Sequence, residues 1–539
     1  MKKADMLLVN GRFLTMEQPG EMAEAVAIAD GRILFVGTRA QAEAYVDADT
    51  QIVDLEGKVA APGLIDCHTH PVSFANRFLC LNLRGVDSLE ALLDMLRGAA
   101  AEAPEGAWII GRGYDESKFR EGAIAPSAAM LDTVTTEHPV YIVRTCGHVA
   151  VLNSCALACS GFTAQSSDPE TGGHFFKDAA GNLTGMVSGS LVGAVPFPAP
   201  TEAQREWAII QGTQAEYFRK GITATGDMGS AGLSFRILQK LDREGKLKLR
   251  IGFYFGGRRN PNAQPMALTL QQVGLQPGFG SEHFRFLGIK FVMDGSTGGR
   301  TAAFSQPYEN EPENYGELYN DPDILREDVT RAAKAGLQIS IHAIGDRAIE
   351  QALQSLEYAA AQGADIPNLR VRLEHLESPT PDQIRRIRDL NISVGLSSAF
   401  IYWLGDSHVS ALGQARLVDA FPAKTLLEEG ITVGCNTDCP VCDVNPMIGI
   451  HSMVNRVTEA GQSFGGKKQA IDRMQALAAY TSQAARLLRL EDVAGTLIPG
   501  KYADLVVFDG DYLAAPDETL KDISIAMTIS GGEIVYSKA

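Results

Sequence analysis

The sequence is short of several things, and each shortage excludes a class of protein. Basic residues are outnumbered, 48 Lys+Arg against 65 Asp+Glu, for a formal charge of −17. No Lys/Arg run offsets this locally. A general binder of nucleic acid or anionic membrane needs an electropositive face, so neither partner is expected. Long apolar runs are missing too: none approaches the roughly 18 residues that span a bilayer. The start, MKKADMLLVNGRFLTME, holds only the apolar run Met6–Val9, too short for a signal-peptide core, and reads as a strand ending in an Asn-Gly turn. Eight cysteines among 539 residues are read as free thiols in a reducing cytoplasm, not as a disulfide framework. Internal repeats and low-complexity tracts are absent. What is there, 45% apolar and 21% charged residues, fits a soluble globular chain too long for one ordinary core.

Residues 1–60 alternate short β-rich runs with Gly or Asp turns, and the same texture returns in GTLIPGKYADLVVFDGDYL and ISIAMTISGGEIVYS. Two β-rich ends around a different middle predict a small β-sandwich domain assembled from residues 1–60 and 491–539. Between them, apolar strand-like runs at 61–68, 221–227, 249–255, 287–295, 337–345, 370–377, 392–400 and 431–438 alternate with helical stretches. Several of these helices stop at glycine, as in AEYFRKGIT, TRAAKAGLQ and TLLEEGITV. The pattern predicts an α/β fold, a (β/α)8 TIM barrel over residues 61–70 and 221–490. Residues 71–220 exceed any βα loop and are read as an inserted subdomain. Because it follows a barrel strand, the insert is expected to cover the catalytic mouth. What remains is close to the roughly 250 residues of a barrel.

The chemistry gathers at strand ends. His68 and His70 in DCHTH stand at i and i+2, so both imidazoles can face one point. His342 follows LQISI, His375 follows RVRLE, and Asp438 follows ITVGCNT. Four of only ten histidines therefore lie at the ends of three apolar strands. Such convergence on one barrel face fits a catalytic divalent metal, zinc above others, better than it fits ordinary core histidines. Lys290, inside the apolar run GIKFVMDG, is costly to bury as a bare ammonium. It is paired with Asp294 on the same strand face, or it is a metal ligand after conversion to a carbamate. The residues alone leave both readings open.

These segments resemble the amidohydrolase superfamily, within it the large-insert "amidohydrolase 3" branch that includes N-substituted formamide deformylases. The matching runs are PGLIDCHTHP, GYDESKF, GHVAVLNS, IKFVMDGSTGGRTAAF, ISIHAIGDRA, RLEHLE, GCNTDCPVCDVNPMIGI and GTLIPGKYADLVVFD, all in order along nearly the whole chain. The resemblance implies one or two divalent metal ions held by His68, His70, a carboxylated Lys290, His342, His375 and Asp438. It implies hydrolysis of a non-peptide C–N bond, in an amide or N-substituted formamide, by metal-activated hydroxide. Asp438 would be ligand and general base, returning its proton to the leaving amine.

Three features of the insert and loops are read both ways. Tyr114 and Asp115 in GYDESKF, and His148 in GHVAVLNS, either bind substrate or hold the insert together. Arg300 either binds a substrate carboxylate or anchors its glycine-rich loop. Three rival functions stand beside hydrolysis of an acyclic amide. One is a cyclic amidine deaminase or cyclic amide hydrolase on the same scaffold. Another is a radical iron–sulfur enzyme, suggested by the C-x3-C-x2-C spacing of Cys435, Cys439 and Cys442. The last is a non-catalytic binding protein. A small-molecule partner is expected, and the oligomeric state is left open, a homodimer included.

Overall fold

Eight parallel strands form one continuous sheet in chain order: β1 (Leu64–Thr69), β2 (Ile222–Ser230), β3 (Arg250–Gly256), β4 (Phe284–Val292), β5 (Gln338–Ala343), β6 (Arg372–His375), β7 (Ser393–Leu396) and β8 (Val433–Cys435). In this computed structural model the described residues are 2–538 apart from 19, 146, 170, 171, 259 and 261. The first and last strands meet where the Asp438 N–H donates to the His68 carbonyl at 3.1 Å, which brings the two edges together as a (β/α)8 barrel requires. Near-continuous apolar runs are needed because both faces of each strand are covered: β3 and β4 are buried over almost their whole length.

The chain termini build a two-sheet sandwich joined to the barrel. A four-stranded sheet comes from the N-terminal segment alone, and a six-stranded sheet mixes both ends. In the second, Val59–Pro62 pairs antiparallel with Leu505–Phe508 and parallel with Arg12–Phe13. The run expected as a barrel strand from residue 61 is therefore split at Gly63, its first half belonging to the sandwich. Leu8, Phe13, Val26, Ile28, Leu505 and Val507 pack together as the sandwich core. A buried ion pair, Arg250 Nε to Asp504 Oδ2 at 2.7 Å, ties the start of β3 to the C-terminal segment.

Residues Ser73–Gly212 form a compact unit of their own. Its six-stranded sheet begins with three parallel strands, Leu81–Asn82, Ile109–Tyr114 and Val140–Arg144, and continues antiparallel through Val149–Leu152, Leu183–Gly189 and Gly173–Lys177. The helix Leu89–Glu102, capped by Ser88, packs Leu92, Leu93 and Leu96 against Ile109, Val140 and Ile142. Among the described residues, no helix of the chain is long and apolar enough to cross a membrane.

Candidate metal centre

Strand β1 carries His68 next to its last residue, fully buried, and the structure settles which ring nitrogen faces the site. Its Nδ1 donates to Glu374 Oε2 at 2.8 Å, leaving Nε2 toward Asp438 Oδ1 at 3.4 Å and Lys290 Nζ at 3.3 Å. Burial and the Lys290 charge push the imidazole pKa down to about 4, so the ring is neutral, as a ligand must be. Glu374 is itself held: its other oxygen accepts from Ser340 Oγ at 2.8 Å, and both oxygens accept from Arg372. Burial alone would raise this carboxyl, but the adjacent Arg372 guanidinium outweighs it and holds Glu374 well below the usual range. A Cβ at Gly395 on β7 would sit 2.2 Å from Glu374 Oε2, so only glycine leaves room for this carboxylate.

His375 should point away from Glu374 by strand alternation, yet both serve the same site. The backbone turns left-handed there, φ +70° at His375 and +44° at Leu376, which breaks the alternation at the end of β6. Its Nδ1 donates to Ser397 Oγ at 2.7 Å, and Ser397 donates onward to Asn436 Oδ1 at 2.9 Å, again leaving Nε2 for the site. Burial, reinforced by the neighbouring His342 and His68 rings, holds His375 well below the ordinary imidazole value. Asp438 also adopts a left-handed backbone, φ +52°, just beyond β8. Burial opposes its ionisation, but the surrounding positive charge and the His70 hydrogen bond overcome that and lower its carboxyl pKa. One ligand atom from each of His68, His375 and Asp438 lies within 4.8 Å of the others. Two neutral imidazoles and an ionised carboxylate, all buried, are a donor set that fits a borderline divalent metal.

The other expected ligands surround this trio. His70 Nε2 is 3.1 Å from Asp438 Oδ1 and Lys290 touches His68. His342 lies against His375, ring centroids 4.3 Å apart, but its Nε2 faces the Gly295 carbonyl at 3.0 Å and does not join the converging atoms. The pairing of Lys290 with Asp294 does not form. Asp294 instead accepts from the backbone N–H groups of Ala303, Ile344 and Gly345, pinning the loops after β4 and β5. Burial pushes the Lys290 ammonium down to about 8, so its neutral amine, the form that adds CO2, is accessible near neutral pH.

The features read both ways resolve differently. Arg300 donates to the carbonyls of Glu309 at 2.8 Å and Ser410 at 3.1 Å and pairs with Glu311, which is the loop-anchoring alternative. Tyr114 lies in the insert's own apolar core, Asp115 caps the turn at Ser117, and His148 is exposed on the insert. Cys435, Cys439 and Cys442 are all buried, but among the described residues they do not form a converging ligand group. Burial also pushes the Cys435 thiol up to about 12, which keeps it protonated and is the state of an ordinary buried cysteine.

A cavity of about 480 Å³ opens beside the trio, lined by His342, His375, Asp438, Phe400, Glu377 and His408 among others. The last two were not singled out from the sequence. Glu377 Oε2 accepts from Thr297 Oγ1 at 2.6 Å and from His408 Nε2 at 3.1 Å, while its buried Oε1 has no partner among the described residues. His408 Nδ1 faces the Leu404 carbonyl at 2.8 Å, so both ring nitrogens meet oxygen acceptors, an arrangement that favours the imidazolium. Burial opposes that charge, but Glu377 raises the His408 pKa above its ordinary value. The only sequence signal for Glu374 and Glu377 was their place in RLEHLE, acids where an apolar run was due.

Residues 51–536 match the profile of the amidohydrolase family. The chain is 31% identical to Protein LONG AFTER FAR-RED 3 of Arabidopsis thaliana, covering 99% of this chain and 92% of that protein. It is 24% identical to the N-substituted formamide deformylase of Arthrobacter pascens, covering 99% and 98% respectively. Among solved structures, an uncharacterized metal-dependent hydrolase from Pyrococcus furiosus superposes with a TM-score of 0.76 at 27% identity, over 94% of this chain and 99% of that one.

Proposed function

This chain belongs to the amidohydrolase family of metal-dependent hydrolases, and on that premise we propose that it cleaves a non-peptide C–N bond in a small amide or N-substituted formamide. The observation that carries the reading is the buried convergence of His68, His375 and Asp438 within 4.8 Å at the carboxyl ends of barrel strands. A bound divalent metal, zinc by the donor chemistry, supplies Lewis acidity that polarises a carbonyl and acidifies a water. His68, His375 and Asp438 would hold it. His70, which contacts Asp438, and Lys290, which contacts His68 and would act as its carbamate, would complete the set.

The chain's own groups manage the protons. Asp438, ionised despite its burial, takes the proton of the attacking water at Oδ1 and returns it to the departing nitrogen, which must leave as a neutral amine. His70, in contact with the same oxygen, orients it. Phe400, Ile344 and Leu404 give the cavity an apolar wall that excludes water around the scissile bond. Glu377 supplies the polar mark: its unpartnered Oε1 accepts a hydrogen bond from a substrate N–H. Because Glu377 and His408 neutralise each other, that donor is an uncharged N–H and not an ammonium.

The test is a panel of N-formyl amines, N-acyl amides, cyclic amides and cyclic amidines with zinc-loaded enzyme, reading amine, carboxylate and ammonia. Release of amine plus carboxylate, abolished by chelation and restored by metal, is expected. Ammonia from a cyclic amidine, with no amide cleaved, would replace this reading with deamination.

A further inference from the structure

We propose that the inserted unit Ser73–Gly212 carries a ligand site of its own, for a small oxyanionic molecule, a phosphate ester or a dicarboxylate. The site is a cavity of about 580 Å³ lined wholly by residues of that unit. Its volume falls within the roughly 300–1,000 Å³ typical of small-molecule pockets.

Topology places the cavity where an α/β sheet binds ligands. Leu81–Asn82, Ile109–Tyr114 and Val140–Arg144 run parallel, and the helices Leu89–Glu102 and Ala128–Asp132 lie between them in sequence. Residues at or just past the carboxyl ends of all three, Asn82, Gly113 and Thr145 among them, line the cavity. Crevices outside the carboxyl ends of parallel strands are the usual ligand sites of such sheets.

The charge of the lining is opposite in sign to that of the chain as a whole. Arg77, Arg84, Arg112, Arg144 and Arg205 all line this one cavity, and no Asp or Glu does, in a protein whose net charge is −17. Two of the five are engaged: Arg144 pairs with Glu116 at 2.9 Å, and Arg205 donates to the Pro200 carbonyl at 3.2 Å. Among the described residues Arg84 and Arg112 have no side-chain hydrogen bond or ion pair, and Arg77 only lies over the Phe74 ring at 5.0 Å. Three uncompensated guanidiniums around one cavity repel one another until an anion joins them. Guanidinium forks match carboxylate and phosphate oxygens two at a time, which sets the chemical class. The cavity is also built, not incidental. A Cβ at Gly113, φ +95°, would lie 2.5 Å from Arg84 Cγ, so glycine there lets the Arg84 stem cross the strand end.

Calorimetric titration of the full-length holoenzyme with inorganic phosphate and with succinate tests this. One of the two is expected to bind, more weakly as salt is raised, and the Arg84→Gln/Arg112→Gln variant should lose roughly tenfold or more in affinity. Asp438→Asn, in the barrel site, should bind as the parent does, which separates this site from an anion held at the metal. Tighter binding of phosphate assigns a phosphate ester, and tighter binding of succinate a dicarboxylate. Should the double variant misfold, protection of Arg77, Arg84 and Arg112 of the unaltered protein from phenylglyoxal by the same probes gives the answer by mass spectrometry. No binding at millimolar probe, equal binding by the double variant, or unprotected arginines would overturn the proposal.

Discussion

The barrel and the insert both gather functional groups at the carboxyl ends of parallel strands, but they treat charge in opposite ways. In the barrel the groups are buried and each is answered within a few ångströms: His68 by Glu374, Glu374 by Arg372, His375 by Ser397, Asp438 by His70. Burial there keeps the His68 and His375 imidazoles neutral, the form in which a metal could be bound. In the insert, Arg84 and Arg112 remain exposed and unanswered. A buried charge without a partner is too costly to persist, whereas exposed guanidiniums stay solvated until a ligand arrives. The comparison teaches that strand topology chooses the place, and burial chooses between assembling a reaction centre and leaving a charge open for capture.

The contrast can be broken or sharpened at four points. The largest effect is expected at Asp438: Asp438→Asn should lower kcat by about 10²–10⁴ on any substrate turned over, with the fold intact by circular dichroism. Retained turnover would remove Asp438 from proton transfer. Next comes Glu374→Gln, which leaves the buried Arg372 charge unanswered. A loss of about 3–5 kcal/mol in denaturant unfolding is expected. Metal affinity should fall about 10–100-fold, measured by competition with a chelator.

A smaller, pH-dependent effect belongs to His408. Its pKa is raised in the folded state above the ordinary 6.5, so its stabilising contribution is complete below that value and lost as pH rises through the folded pKa. The stability advantage of the parent over His408→Gln should therefore shrink on going from pH 6 to higher pH in parallel melts. A difference that does not change with pH would mean the ring is not protonated. The smallest is Arg300→Gln, which removes a loop anchor worth about 1 kcal/mol. KM should stay within about twofold, because no substrate contact is lost. A large rise in KM would return Arg300 to the substrate.

Much of the barrel was legible because its code is local. Glycine-stopped helices and apolar runs mark all eight strands, and His68 and His70 announce themselves by their i, i+2 spacing. The limits were equally physical. Residues 61 and 62 read as the start of a barrel strand, since the apolar run Val59–Ile65 continues through Gly63 and only pairing partners divide it. His375 sits on the wrong face by alternation, and its left-handed backbone is a tertiary outcome. Lys290 and Asp294 share a strand face, yet nearby backbone N–H groups claim the aspartate first. Glu377 and His408 stand 31 residues apart with no periodic relation, so nothing local joins them.

By itself the sequence determined the order of elements, the alternation that makes a barrel, and the residue types waiting at its strand ends, because those depend on patterns a few residues long. Only the tertiary structure decided which ring nitrogen each histidine offers, which acid answers which base, and which arginines are left open. Those outcomes depend on desolvation and on partners distant in the chain, as with His68 and Glu374, 306 residues apart and 2.8 Å from each other.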